Sequence, residues 1–219
     1  MLHRTPFFLP VLYPSLTWRI PSSKKQLYLT FDDGPIAGPT EFVLETLQKL
    51  KAKATFFCIG DNVRKHPEIF KTMVAQGHAI GNHTHNHLNG WNTNTRNYID
   101  NVMLCDAELR QHHPANAIKH SLFRPPYGRI TRNQIAALSH FRVVMWDVLT
   151  VDYNMRLSPE KCLKNSIRAT REGSIIVFHD SLKAARNLMY ALPRFIEHFS
   201  AQNYEFHIIT DGKDSGSAT

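Results

Sequence analysis

The stretch YLTFDDGPIAGPTEF, residues 28–42, contains both the first strand of the fold and its first chemical problem. The apolar run 27–31 is typical of a buried strand, and two adjacent carboxylates, Asp32 and Asp33, follow it directly. Like charges so close repel, so a protein that keeps both usually has a cation or a proton for them to share. An Asp-Gly-Pro turn explains one aspartate but not two.

The alternation of a strand with an amphipathic helix continues from this stretch almost to the end of the chain. Strands are predicted at residues 27–31, 54–60, 79–82, 122–124, 142–146, 174–178 and 205–209. Helices are predicted at about 40–51, 67–76, 95–112, 159–172 and 182–199, with Ser158 as a cap and Gly77 and Gly173 as stops. This alternation predicts an α/β fold of parallel strands covered by helices. Seven strands fit either a barrel or an open doubly wound sheet.

Length and composition predict one globular domain. The chain has 219 residues, of which 42% are hydrophobic and 20% charged, enough for a sizeable core. The net charge is +8, but lysine and arginine are scattered along the chain, which favours a solvated basic surface over a nucleic-acid site. Three well-separated cysteines without a CxxC pair exclude a disulfide framework. Free thiols favour a reducing, cytoplasmic location, with the cell envelope or periplasm as the alternative.

The two ends of the chain differ in composition from its middle. Residues 1–25 are apolar, but prolines interrupt them and no cleavage site follows, so we expect a segment that packs on the domain. No stretch approaches the ~20 apolar residues of an integral membrane span. Residues 26–210 are expected to form the folded domain, and the small polar residues 211–219 a disordered tail. A monomer is the default expectation.

Polar side chains recur where the predicted strands end. In barrels and in open sheets alike, ligands bind at the carboxyl ends of parallel strands, so we expect these side chains to converge. The set comprises Asp32, Asp33, His83, His87, Arg124, Asp147, Asp152, His179 and Asp180.

Two of these histidines suggest a metal site. His83 and His87 stand four residues apart, so one turn of helix would put both imidazoles on one side, with His85 pointing elsewhere. The spacing alone is weak evidence in a chain with 13 histidines. A carboxylate from the first strand would complete three ligands with an open position, which is typical of catalytic zinc. The other aspartate would then be free to move protons.

Three further residues have roles in keeping with acyl chemistry. Arg124, held by two prolines, could keep a carboxylate ionised, or it could form an ordinary surface ion pair. The backbone N–H groups of Tyr127 and Gly128 could face a developing oxyanion. His179 could act as a general acid tuned by Asp152, or it could be a hydrogen-bonded core histidine.

Five motifs in order, TFDDGP, HTHNH, RPPYG, WDVLTVDY and VFHD, resemble the polysaccharide deacetylase family, the NodB-homology domain of carbohydrate esterase family four. The resemblance covers about residues 27–209. It implies a distorted (β/α)7 barrel in a single domain. It also implies a metal-dependent hydrolase that removes an N- or O-linked acetyl group from a sugar within an acetylated glycan.

The resemblance also implies a role for each matching residue. Asp33, His83 and His87 resemble the ligands of a divalent metal, with Zn²⁺ preferred and Co²⁺ or another divalent ion as alternatives. Asp32 resembles the catalytic base, and Arg124 resembles the residue that orients it. His179 resembles the general acid, and Asp152 its tuning partner.

Two positions depart from the family pattern. The aromatic residue after the fourth-motif aspartate is usually Trp and here is Tyr153, and the residue two before the acid histidine is usually Leu and here is Val177. With Tyr127, both are expected to contact substrate. Three alternatives stay open: an inactive carbohydrate-binding module, a non-haem iron oxygenase with the same 2-His-1-carboxylate set, and, from charge alone, a nucleic-acid binder.

Overall fold

The computed structural model describes residues 3–113 and 122–210. In these ranges the strands are β1 Gln26–Asp33, β2 Ala54–Cys58, β3 Ala79–Asn82, β4 Leu122–Phe123, β5 Arg142–Val143, β6 Val148–Leu149, β7 Ile175–His179 and β8 Glu205–Phe206. These eight parallel strands form one curled sheet, ordered β5-β4-β3-β2-β1-β7-β6 with β8 paired to the start of β1. The sheet is a half-barrel, which confirms the distorted (β/α)7 barrel in a single domain. The helices are α1 Phe8–Leu12, α2 Pro39–Lys49, α3 Gly60–Lys65, α4 Pro67–Ala75, α5 Thr95–His112, α6 Arg132–Ala137, α7 Pro159–Ala169 and α8 Ala185–Ser200.

The central strand β1 separates an apolar face from a polar one. Leu29 and Phe31 belong to the core between the sheet and the outer helices, and the ring of Phe31 stacks on that of Phe56 in β2 at 5.0 Å. Successive strand residues point to opposite faces, so Thr30 and Asp32 point to the other side, into the barrel. The alternation within β1 therefore delivers the carboxylate of Asp32 to the interior.

Local sequence signals explain where the helices begin. Pro39 and Pro67 occupy the first positions of α2 and α4, where the missing N–H is not needed. The side chain of Ser158 caps α7, as predicted. This helix ends at Ala169, so the expectation that Gly173 terminates it was wrong. Gly173, with φ +71°, forms the turn before β7, where an added Cβ would lie 2.0 Å from the carbonyl oxygen of Ile20.

The N-terminal segment closes the gap between the two ends of the sheet path, β5 and β6. Its Thr17 N–H donates to the carbonyl of Val143, and the N–H of Met145 donates to the Thr17 carbonyl. On the other side, the N–H of Leu149 donates to the carbonyl of His3. No helix among residues 3–113 and 122–210 is long and apolar enough to cross a membrane.

The structure differs from the predicted elements in several places: the strands predicted at 54–60 and 205–209 end at Cys58 and Phe206, and the short helices α1, α3 and α6 were not predicted. The predicted strand 142–146 is limited to β5, and a further strand, β6, follows at Val148–Leu149. Two residues are too few for a periodicity to be visible, so the sequence pattern missed β6. The domain boundaries stay predictions, and the predicted tail 211–219 lies outside the described residues.

Candidate active site

The two adjacent aspartates reach the same cavity by different routes. Asp32 follows the strand alternation into the barrel, where its Oδ1 accepts a hydrogen bond of 2.6 Å from Nη1 of Arg124. Asp33 has a left-handed backbone with φ +91°, and its Oδ1 lies 3.4 Å from Nε2 of His87. A residue that continued the strand would point to the opposite face, so this backbone conformation lets Asp33 join its neighbour.

Arg124 is fully buried, so the interpretation as an ordinary surface ion pair was wrong. Burial lowers the pKa of its guanidinium, whereas the nearby Asp32 raises it. The guanidinium carbon Cζ of Arg124 lies 4.1 Å from the centre of the Phe57 ring. The guanidinium also donates to Thr30 Oγ1 at 2.8 Å, to the Val144 carbonyl at 3.1 Å and to the Met145 carbonyl at 2.9 Å. A buried charge with this many partners is a fixed electrostatic element of the site.

Three side chains offer a metal-binding set. One ligand atom each from Asp33, His83 and His87 lies within 4.8 Å of the other two. Nδ1 of His83 donates to the carbonyl of Arg124 at 2.7 Å, which leaves the lone pair on Nε2 free towards the cavity. Burial, with a contribution from the neighbouring His87, lowers the pKa of His83 to about 3, so the imidazole is neutral as a ligand must be. This donor set fits a divalent cation.

The HTHNH motif is a loop, so the expected single turn of helix was wrong. Strand β3 ends at Asn82, and the chain then takes left-handed conformations at Thr84, with φ +63°, and at His87, with φ +55°. The two imidazole rings nonetheless meet, with centroids 5.1 Å apart. Burial lowers the pKa of His87 as well.

His85, between the two candidate ligands, lies outside the cluster. Its backbone N–H donates to Oδ1 of Asn101, which anchors the loop to α5. Its Nδ1 is buried and has no hydrogen-bond partner among the described residues. His85 therefore serves as a matched control for the other two histidines.

His179 and Asp152 form a second buried pair beside the metal-binding set. Nδ1 of His179 donates to Oδ1 of Asp152 at 2.7 Å, and the backbone N–H of His179 donates to Oδ2 at 2.8 Å. Burial acts to lower the pKa of His179, but the charge and hydrogen bond of Asp152 outweigh it and raise the pKa to about 9. The imidazole is thus held protonated, with Nε2 free.

A cavity of about 380 Å³ joins these groups. The three predicted substrate-contacting residues, Tyr127, Tyr153 and Val177, all line it. Tyr153 stands edge-on to His179, with ring centroids 4.9 Å apart. The sequence analysis did not predict the other residues that line the cavity. Of these, Trp146 could have been suspected, because it is the first residue of the WDVLTVDY motif. The residues that were not predicted are Pro125, Trp146, Leu149, Ser181 and Lys183.

Two predicted participants have other tasks. Asp147 was expected at the edge where the strands end, but its N–H donates to the carbonyl of Ile175 at the start of β7, and its carboxylate accepts from Ser174 Oγ at 2.6 Å. It therefore lies at the opposite edge of the sheet. The N–H of Gly128 donates to the carbonyl of Pro125 at 3.0 Å, so it is not available for an oxyanion.

Asp180 supports the loop that carries the two aspartates. Its carboxylate accepts from the N–H of Gly34 at 3.0 Å and from Oγ1 of Thr40 at 2.6 Å. An added Cβ at Gly34 would lie 2.0 Å from Oδ2 of Asp180, so only glycine permits this close approach. Burial raises the pKa of Asp180 to about 7. Its position in the VFHD motif was the available signal, but nothing local indicated this partner.

Comparison with known proteins agrees with the geometry. Residues 19–146 match the family described as "Polysaccharide deacetylase". A peptidoglycan-N-acetylglucosamine deacetylase of Bacillus cereus is 36% identical over 163 residues, which cover 74% of this chain and 58% of that protein. A chitooligosaccharide deacetylase of a Bradyrhizobium species is 32% identical over 175 residues, covering 79% of this chain and 78% of the relative.

A solved structure extends the likeness to nearly the whole fold. The Bc1960 peptidoglycan N-acetylglucosamine deacetylase, in complex with 4-naphthalen-1-yl-N-oxidanyl-benzamide, superposes with a TM-score of 0.84. It is 30% identical and covers 94% of this chain and 95% of its own. The chain belongs to the polysaccharide deacetylase family, metal-dependent hydrolases that act on carbon–nitrogen bonds other than peptide bonds.

Proposed function

We propose that this protein hydrolyses the acetamido group of N-acetylated sugars in a glycan and releases acetate, with O-acetyl esters as the alternative substrate. One observation supports this above all. A candidate metal set, a carboxylate held by a buried arginine and an imidazole held protonated by a buried aspartate line one cavity of about 380 Å³. Amide hydrolysis needs an activated water, a base and an acid at the leaving nitrogen.

Asp33, His83 and His87 are the proposed ligands of the metal. Two neutral imidazoles and one carboxylate suit Zn²⁺, with Co²⁺ or another divalent ion as alternatives. A divalent cation bound there would lower the pKa of water from about 15.7 towards about 7 and polarise an acyl carbonyl. His83 presents its free Nε2, because its Nδ1 is engaged by the Arg124 carbonyl.

Asp32 is the proposed general base and His179 the general acid. Asp32 accepts a proton from the attacking water, whose oxygen bonds to the acetyl carbon. His179 donates its proton to the sugar nitrogen as the carbon–nitrogen bond breaks, leaving acetate and an amine. The parallel register of β1 and β7 pairs Asp32 with His179, so the two groups flank one space in the cavity. Arg124 orients the Asp32 carboxylate through their hydrogen bond of 2.6 Å.

The acetyl group is proposed to enter an apolar recess. Val177 and Leu149 pair across β7 and β6, and both line the cavity with Trp146 and Tyr153. Tyr127, at the mouth, is the proposed contact for a sugar ring, and its N–H is the remaining candidate donor to the oxyanion. Residues Tyr153 and Val177 are smaller than the family's usual Trp and Leu, which would widen this recess.

The alternatives gain no support from the family and its relatives. An oxygenase would have no use for the His179–Asp152 pair, and an inactive module would have no use for an intact base and acid. For location, the relatives named for peptidoglycan favour the cell envelope over the cytoplasm expected from free thiols, and cell fractionation tests this proposal.

Loss of a ligand histidine should weaken metal binding, whereas loss of its neighbour should not. We expect His87→Gln to reduce Zn²⁺ affinity at least about tenfold, the lower end of the loss seen even for outer-sphere partners of ligands. Isothermal titration of the metal-stripped protein measures this. His85→Gln is the control, and equal losses in both variants would contradict the ligand assignment.

Loss of the base should abolish most turnover without unfolding the protein. We expect Asp32→Asn to lower kcat for acetate release roughly 10²–10⁴-fold, the usual range for a positioned proton transfer. The exposed Asp100→Asn is the matched control and should keep full activity. Turnover near normal in Asp32→Asn would exclude Asp32 as the base.

The role of His179 as general acid predicts that kcat depends on pH. His179 has a raised pKa of about 9, so it is protonated below that value and kcat should fall as pH rises through it. In Asp152→Asn the largest contributions that oppose burial are lost and only the charges of Asp33 and Asp32 still raise the pKa of His179, so the fall in kcat should move to lower pH. A pH–rate profile measures this, and a fall at unchanged pH in Asp152→Asn would rule out His179 as its origin.

Two arginine–aspartate pairs with similar N–O distances should contribute differently to the free energy of unfolding. Arg124 and Asp32 are 2.6 Å apart and both buried, whereas Arg110 and Asp106 are 2.7 Å apart with about half of the Arg110 side chain in solvent. We expect Arg124→Met to lower the free energy of unfolding by about 3–5 kcal/mol, because it leaves a buried charge unpaired. Arg110→Met should cost at most about 1 kcal/mol. Urea denaturation compares them, and similar losses would refute the argument.

A further inference from the structure

Helix α1 presents an apolar surface to solvent. None of its five residues is buried, and four large side chains in and before it are exposed: Phe7 by 87%, Val11 by 75%, Leu12 by 60% and Phe8 by 48%. Single exposed apolar side chains are common, but four within six residues form a contiguous apolar patch, and contiguous exposed patches are typical of interaction sites. We call these four side chains the α1 patch.

The α1 patch borders the catalytic cavity. A second cavity, of about 480 Å³, lies under α1 and is lined by Leu9, Leu12, Trp91, Tyr127 and Trp146 among others. Tyr127 and Trp146 also line the catalytic cavity, so two aromatic side chains form a shared wall. Trp91 and Tyr127 are themselves exposed by 63% and 61%. The apolar surface thus extends from α1 to the catalytic mouth.

Two stretches of the sequence that contribute residues to the cavity under α1 carry no acidic residue. Residues 1–31 and 109–146 contain neither Asp nor Glu, although they hold many of the arginines and lysines behind the net charge of +8. Arg4 lines the cavity under α1, and the guanidinium of Arg129 lies 5.1 Å from the centre of the Trp91 ring. The carboxylate of Asp147 lies 4.0 Å from Nε of Arg4 but also 3.3 Å from Nη2 of Arg171, so two cations share one acidic group and positive charge remains in excess beside the exposed apolar side chains.

We propose that the α1 patch docks on an anionic lipid bilayer. Phenylalanine and aliphatic side chains enter the interface between headgroups and acyl chains, while Arg4 and Arg129 face the lipid phosphates. A second copy of the chain fits less well, because a symmetric dimer through this face would bring the same positive charges together. A nucleic acid would satisfy the arginines but would leave Val11 and Leu12 without an apolar partner.

Docking in this way would hold the catalytic mouth beside the membrane. If the proposed deacetylation is correct, the enzyme would then act on acetylated glycan close to the lipid surface. The docking itself requires neither the metal nor Asp32, so the two proposals can fail separately.

Vesicle co-sedimentation of the full chain tests the docking. We expect binding to vesicles of phosphatidylcholine mixed with phosphatidylglycerol, weaker binding to phosphatidylcholine alone, and a decline as salt is added. The double variant Phe7→Ser/Val11→Ser should lower the partition coefficient at least about tenfold, because it removes two apolar side chains from the interface. Met103→Ser/Leu104→Ser, an exposed apolar pair on α5, is the matched control and should bind like the parent.

Five results would overturn the proposal, and the first four concern the vesicles and the oligomeric state. They are no binding to anionic vesicles at low salt, equal loss in the two double variants, unchanged binding in Phe7→Ser/Val11→Ser, and a concentration-dependent dimer in light scattering that this variant abolishes. Tighter binding to a DNA duplex than to anionic vesicles would also overturn it. Acetate release from a soluble chitooligosaccharide should be unchanged in Phe7→Ser/Val11→Ser, and Asp32→Asn should sediment like the parent, which separates docking from catalysis.

Discussion

The buried contact between Arg124 and Asp32 organises the whole site. The guanidinium of Arg124 donates a hydrogen bond to Asp32, the candidate base, and the backbone carbonyl of Arg124 accepts one from Nδ1 of His83. One residue therefore orients both the base and a candidate metal ligand. Removing these charges from water is expensive, and this cost is offset because Arg124 also donates to two backbone carbonyls and packs on the ring of Phe57. The interior of the barrel is accordingly polar and rigid at this point rather than filled with aliphatic side chains.

The central position of β1 brings the two halves of the site together. On one side β7 pairs with β1 in the register that sets His179 opposite Asp32. On the other side β2 and then β3 lead to the histidine loop, which returns over the carboxyl end of β1. The acid and the candidate metal ligands thus come from opposite flanks of one strand. No short segment of the chain contains both.

Left-handed backbone conformations cluster around this centre. Asp33, His87, Tyr127 and Val151 all have positive φ, between +55° and +91°. For residues other than glycine such conformations cost of order 1–3 kcal/mol each, most of all for a β-branched residue such as Val151. The surrounding packing holds them, as where Asn187 donates to the carbonyl of Asp152 directly after Val151. These backbone conformations give the side chains directions that they would not have in a regular strand or helix.

The sequence by itself determined the α/β class, the starts of helices α2, α4, α5 and α7 to within a residue, and the chemistry of the donors, because periodicity and residue type are local properties. The position of Asp32 in the barrel follows from the two-residue period of β1. Other features depended on contacts between distant segments. The helical turn predicted for His83 and His87 is a loop whose shape depends on Asn101 of α5 and on Arg124, which directly follows β4. Asp147 lies at the edge of the sheet opposite the cavity, and Lys183 lines the cavity. Neither position could be predicted, because strand register and positive φ values are fixed only when the strands and loops pack together.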